Sequence, residues 1–227
     1  MTLGIWQGTT TREILDVFHG RNHVQQEMSG GERGLSRALL HGFDSFRGLP
    51  EDWAGRAGML RGFFDLGGQP PLSLRSMTTT PPPQDTAERQ RGEVQSSSSI
   101  SDGLELHVGW FNETLAPFAR RVQAEGLRVA FVHFDANLYS STKQALDALL
   151  PVLAPDAVLL FDDFLLHQGW EVGEAQAWAE TVEETPGLSF EWVAYNTHSV
   201  LVQLTKNPTG YAGQKWSEEE RQQHEDL

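Results

Sequence analysis

The chain has 227 residues, enough for one ordinary domain with a buried core. Its 31 acidic against 17 basic residues give a formal charge of −14, which repels phosphate backbones and anionic lipid, so neither nucleic acid nor membrane is expected as a partner. The absence of cysteine excludes disulfides, thiolate metal sites and cysteine nucleophiles and leans towards a reducing, cytoplasmic setting, and no apolar run approaches a bilayer span or a secretion signal.

The chain opens on "LGIWQGTTTREIL", where Gly4 and Gly8 bracket a turn. A helix is predicted from about Thr10 to His19 by the spacing of Ile14, Leu15 and Phe18 and the glycine that follows. A glycine turn entering a helix is a place where a cofactor can approach the backbone, but the full G-x-G-x-x-G fingerprint is absent and such pairs are more often plain punctuation. Residues 20–36 read as a polar loop. "RALLHGF" is then a short apolar run ending on Asp44. Residues 76–102 combine a proline triplet, charges and a serine run, and read as a surface insertion with too little apolar surface to offset the entropy of ordering.

Beyond the insertion, strand and helix patterns alternate. "LELHVGWF" alternates as a strand, and "NETLAPFARRVQAEG" as a helix, with Pro117 expected in or near its first turn, where a missing N–H costs little. "RVAFVHFD" is strand, "STKQALDALLPVLAP" helix, "AVLLFDDF" strand and "GWEVGEAQAWAETVEETPG" helix. "LSFEWVAY" and "HSVLVQLTK" close the series as two strands, and 207–227 is a charged tail, leaving a single domain over 1–206. The order predicts an α/β fold: a mostly parallel sheet with helices on both faces and an antiparallel edge hairpin.

Ligands of such sheets sit beyond the carboxyl ends of the strands, and acids fall there: Asp44, Asp135 and the pair Asp162–Asp163. Each alone reads equally as a helix cap or turn residue. Together, carboxylates converging without a nearby lysine or arginine call for a hard divalent cation, Mg²⁺ first. Asp44, after the second strand, is placed to bond the ribose hydroxyls of a nucleoside cofactor.

"FDSFRGLPEDW" (43–53), "GFFDLGG" (62–68), "HVGWFNETL" (107–115), "FVHFDANLYSSTK" (131–143) and "LLFDDF" (159–164) follow one another in an order that resembles the macrocin O-methyltransferase (TylF) family. These are class I S-adenosylmethionine-dependent enzymes that methylate sugar hydroxyls of natural products. The resemblance implies a Rossmann-like methyltransferase fold, S-adenosylmethionine and Mg²⁺ as cofactors, and a small hydroxylated acceptor; a homo-oligomer stays open. Residue by residue it assigns Gly4, Trp6, Gly8 and Thr9 to the first cofactor loop, Asp44 and Ser45 to the ribose, Gly109 and Trp110 to the adenine side, and Asp135, Asp162 and Asp163 to the metal.

The chain departs from that pattern twice. Thr2 stands where the family carries an acid two places before the first glycine, so the first strand is either short or truncated. Asn137 stands where an aspartate resembling the proton acceptor is common, and an amide is no general base near neutral pH. Asp135 itself, a metal-bound hydroxide or His167 are the stand-ins. His107, His133 and His198 receive no role, since a strand places histidines in a core or on a surface for packing alone. Trp53 and Trp170 are candidates to stack on a sugar face, whereas Trp192 reads as packing. Two rivals remain at this level: a nicotinamide-dependent oxidoreductase, which wants a tighter glycine fingerprint, and a noncatalytic relative of the same fold.

Overall fold

The structure, a computed structural model, describes residues 1–17, 40–54, 56–75 and 103–209. The predicted insertions at 20–36 and 76–102, the end of the first helix at Phe18 and His19, and residues 210–227 lie outside the described residues.

Seven strands form one sheet: β1 (Thr2–Leu3), β2 (Leu40–Asp44), β3 (Leu104–Val108), β4 (Val129–Phe134), β5 (Leu153–Phe161), β6 (Ser189–Tyr195) and β7 (Val200–Lys206). Their order is β3-β2-β1-β4-β5-β7-β6. The first five are parallel, and β7 and β6 close the edge antiparallel, as the alternating pattern predicts. Helix α1 occupies residues 9–17, followed by α2 (Leu72–Arg75), α3 (Phe111–Ala124), α4 (Tyr139–Leu149) and α5 (Glu174–Glu184). Pro117 is the seventh residue of α3 and falls in its second turn, just past the first turn near which it was expected.

The two-residue period of strands sorts the core into two layers. Phe43, Phe134 and Phe161 turn to the face covered by α3, α4 and α5, and all three are fully buried. Burial of each such ring stabilises the fold by about 1.5–3 kcal/mol. Leu40 and Leu104 turn the other way, against Leu15 of α1 and Leu74 of α2. The sheet is therefore covered on both faces. Register then fixes the rim. Leu3 lies level with both Phe43 and Phe134, and Phe134 with Phe161, so β1, β2, β4 and β5 end together. The ladder continues one step further, where Asp135 N–H donates to Leu3 O at 3.0 Å and Asp162 N–H to Phe134 O at 2.9 Å. That shared endpoint puts the strand-end acids at one edge.

Candidate active site

Asp44 is fixed by three backbone donors. Ile5 N–H and Trp6 N–H reach its Oδ2 at 2.7 and 2.9 Å, and Phe46 N–H reaches Oδ1 at 2.7 Å. The carboxylate thus ties the β1–α1 turn to the end of β2, which is the turn-bonding role the sequence left open, while still facing a cleft of about 410 Å³. The close approach of that turn to β4 requires glycine. Gly4 has φ +76°, and a Cβ there would meet the Asp135 carbonyl oxygen at 1.9 Å. Backbone, rather than cofactor, occupies the space that this missing side chain frees.

The cleft gathers Gly4, Trp6, Asp44, Ser45, Gly109, Trp110, Asp135 and Asn137 of the sequence-selected residues. Gly8 and Thr9 are outside its lining. Gly8 is enclosed by Leu74, whose side chain lies 2.6 Å from where its Cβ would be, and Thr9 is exposed at the start of α1. Trp6 is 43% exposed and meets Phe64 edge-on at 5.1 Å, giving the cleft an aromatic wall. Trp110 is the N-cap residue of α3, with its backbone N–H donated to Glu113 Oε2 at 3.3 Å.

The described residues of 46–54 and 56–68 form a flap along the cleft, lining it with Gly48, Leu49, Pro50, Arg61 and Phe64, and hold no regular helix or strand. Leu49 N–H donates to Phe63 O and Gly62 N–H to Leu49 O, both at 2.9 Å. This pairing joins the two blocks quoted above as "FDSFRGLPEDW" and "GFFDLGG". Leu49 and Trp53 pack on Leu138 in a small core of their own. Trp53 is consequently buried and stands outside the cleft lining, as does Trp170; Trp192, on β6, is 57% exposed with its ring against Phe164 and Phe190.

The acids divide. Asp135 and Asp162 meet, and the residue that joins them is His133: one donor atom from each lies within 4.8 Å of the others. Asp163 is not part of that group. Its Oδ1 accepts from Arg56 Nη2 at 3.1 Å and its Oδ2 from Asn137 Nδ2 at 2.6 Å. The expectation of acids without a nearby arginine is therefore corrected at Asp163, because consecutive residues leaving a strand point to opposite sides. Burial, then the charges of Asp162, Asp163 and Asp44, push the Asp135 carboxyl up to about 8. Asp162 is held below the usual carboxylate range by the His133 ring and the Ser199 hydroxyl, which outweigh its partial burial. Asp163 is raised by burial, against the pull of Asn137 and Arg56.

Asn137 sits in the left-handed region, φ 62°, which asparagine tolerates better than most residues. His167 is buried outside the cleft lining, with Nε2 2.9 Å from the Asp163 carbonyl and Nδ1 3.1 Å from that of Gln168. Both ring nitrogens face main-chain carbonyls, to one of which a neutral imidazole donates. Sequence reasoning passed over three residues here. His133 could have been found, since it lies two places before Asp135 and so shares its face. Arg56 arrives on the flap, and Glu174, fully buried in the first turn of α5, accepts the Asp163 N–H at 3.1 Å; neither carries a local signal. Burial, with Asp163 and Asp135 nearby, raises the Glu174 carboxyl well above its ordinary range.

A parallel five-strand sheet with an antiparallel β7–β6 edge and a nucleoside-sized cleft at its carboxyl rim is the class I Rossmann-like methyltransferase fold. The family model described as "Methyltransferase domain" matches residues 1–164, and the chain belongs to that family. Among solved structures it is similar to the calicheamicin methyltransferase CalS11, at 18% identity with a TM-score of 0.60 over 89% of this chain and 70% of that one. It is similar also to the O-methyltransferase NovP, at 14% identity with a TM-score of 0.57 over 91% and 72%. A curated relative from Streptomyces olivaceus, 8-demethyl-8-(2,3-dimethoxy-alpha-L-rhamnosyl)-tetracenomycin-C 4'-O-methyltransferase, is 31% identical over 81 residues. That match spans 35% of this chain and 28% of the relative.

Proposed function

We propose that this chain is an S-adenosylmethionine-dependent O-methyltransferase of the macrocin (TylF) type, acting on a hydroxyl of a sugar or polyhydroxylated natural product with the help of a divalent cation. The observation that carries the reading is the meeting of Trp6, Asp44, Gly109, Trp110 and Asp135 around one cleft, with Asp162 beside Asp135. The sugar-directed name of the Streptomyces olivaceus relative supports the acceptor class.

Each residue has work in that chemistry. Asp44, already oriented by three N–H donors, keeps lone pairs to accept from ribose hydroxyls. Trp6, Phe64 and Trp110 offer flat apolar surface to the nucleoside and exclude water from the sulfonium. Methyl transfer from a sulfonium needs little beyond alignment, because the leaving group is already activated. Asp135 and Asp162 fit a cation, since a carboxyl raised to about 8 by burial and then by neighbouring aspartates is relieved by a bound positive charge. A bound divalent ion, Mg²⁺ by resemblance, would lower the pKa of the acceptor hydroxyl. Asp135, which belongs to both cleft and acid pair, then takes the hydroxyl proton in the place of the missing aspartate at 137. Arg56 and Asn137 hold Asp163 against the flap and so position the rim over the acceptor.

A cofactor-binding relative without turnover is the second reading, favoured by the amide at 137. Calorimetry with S-adenosylmethionine and with NAD, followed by transfer of labelled methyl to a panel of glycosides, tests both. Binding of S-adenosylmethionine alone with labelled product is the expected result. Binding without any labelled product favours the second reading, and binding of NAD alone refutes both.

A further inference from the structure

The acid pair at the rim has a third neighbour that no resemblance assigns. His133 is 1% exposed, and its Nε2 is buried with no hydrogen-bond partner, 4.0 Å from Asp162 Oδ1. A buried nitrogen left without a hydrogen bond costs about 1–3 kcal/mol. The other ring nitrogen is engaged: Nδ1 lies 3.3 Å from Thr2 Oγ1. Thr2 is the register partner of His133 on the adjacent strand, so the two side chains stand on one face, with Asp135 two residues further along it. Two tautomers are open to the ring: one turns an Nε2–H towards Asp162, as the lowered Asp162 carboxyl records in the absence of an ion, and the other donates Nδ1–H to Thr2 and leaves the Nε2 lone pair for a cation set between it and the acids. Imidazole metal ligands are held in this way by a polar partner on the far nitrogen.

We propose that the cation site of the cleft is completed by His133 and not by Asp163, and that this imidazole makes it prefer a first-row transition ion over Mg²⁺. The inference rests on the methyltransferase reading above. Two donors about 2.1–2.2 Å from one ion stand between ~3 Å apart, when adjacent, and ~4.3 Å apart, when opposite. The 4.0 Å between Nε2 and Asp162 Oδ1 falls inside that span, and the three donors already lie within 4.8 Å of one another. Asp163 is committed elsewhere, to Arg56 and Asn137. Mg²⁺ favours an all-oxygen shell, whereas first-row ions accept imidazole; Mn²⁺ is the weakest binder among them and so the most demanding probe. Thr2, the departure from the family's acid, becomes the positioning residue of the ring.

The test is pulsed EPR of Mn²⁺ added to the full chain, reading histidine nitrogen coupling at the ion. A second group, His41, Glu105 and His107, also brings its donors within 4.8 Å, although Arg121 already bonds Glu105 at 3.1 Å, so the measurement is made in a His107→Gln background. Nitrogen coupling is expected there and is expected to vanish when His133→Phe is added. Mn²⁺ affinity should fall about tenfold or more in His133→Phe and about tenfold in Thr2→Val, with Mg²⁺ affinity changed by no more than about twofold in either. An oxygen-only Mn²⁺ spectrum in the His107→Gln protein overturns the proposal without reliance on any change at 133, as does coupling that survives His133→Phe. S-adenosylmethionine binding is measured in parallel with chelator present. If it is retained beside an oxygen-only spectrum, the His133 assignment alone fails; if it is absent, the reading beneath it fails.

Discussion

Asp135→Asn should make the metal-free protein more stable by a margin that widens from pH 5 to pH 8, and leave it unchanged at or below about pH 4. The Asp135 carboxyl stands at about 8 in the fold against an ordinary value of 3.8, with burial as the first cause and the neighbouring aspartates next. Between those values the folded chain holds a proton that the unfolded chain has released. Stability contributed by this group is therefore fully present below pH 4 and lost as pH rises through 8. The slope is about 1.4 kcal/mol per pH unit, on the order of 5 kcal/mol across the whole window. Urea unfolding at pH 5, 6, 7 and 8 with chelator present, run on parent and variant, isolates the group, because the raised Asp163 and Glu174 carboxyls contribute to both curves. Divalent cation should then stabilise the parent at pH 8 and not the variant. Parallel stability profiles for the two proteins across that range would refute the reasoning.

Other substitutions probe separate contacts. Gly4→Ala forces a Cβ against the Asp135 carbonyl at a left-handed φ, which costs at least about 1–2 kcal/mol in backbone strain alone and should abolish S-adenosylmethionine binding, as calorimetry would record. Asp44→Ala orphans the N–H groups of Ile5, Trp6 and Phe46; a loss of about 3 kcal/mol or more is expected by chemical denaturation, and an unchanged midpoint would contradict the hydrogen-bonding scheme. Asn137→Asp replaces a donor to Asp163 by a like charge, so its melting temperature with chelator should fall below the parent's at pH 8 and approach it at pH 5, where carboxylates regain protons.

Much of the fold was legible because strand and helix periods alternate cleanly from Leu104 onwards, and a level register turns strand-end acids into neighbours. The site was legible only in part. Asp135 and Asp162 converge with His133 as their positions imply, while Asp163, close enough for its charge to act on Asp135, turns its oxygens to Asn137 and to Arg56, which comes from a flap with no periodic pattern. Gly4 reads as a cofactor glycine in sequence and serves first to let β1 pass the Asp135 carbonyl. His133 was given no role although the alternation of a strand sets it on the face of Asp135; what the sequence does not show is Thr2 lying across from it on the neighbouring strand.

The most direct measurement is a crystal structure of the full chain grown with S-adenosylhomocysteine. The account predicts adenosine density in the cleft, with the ribose hydroxyls on Asp44, the base near Gly109 and Trp110, and the sulfur towards Asp135. Nucleoside density anywhere else, or an empty cleft at saturating ligand, would contradict it.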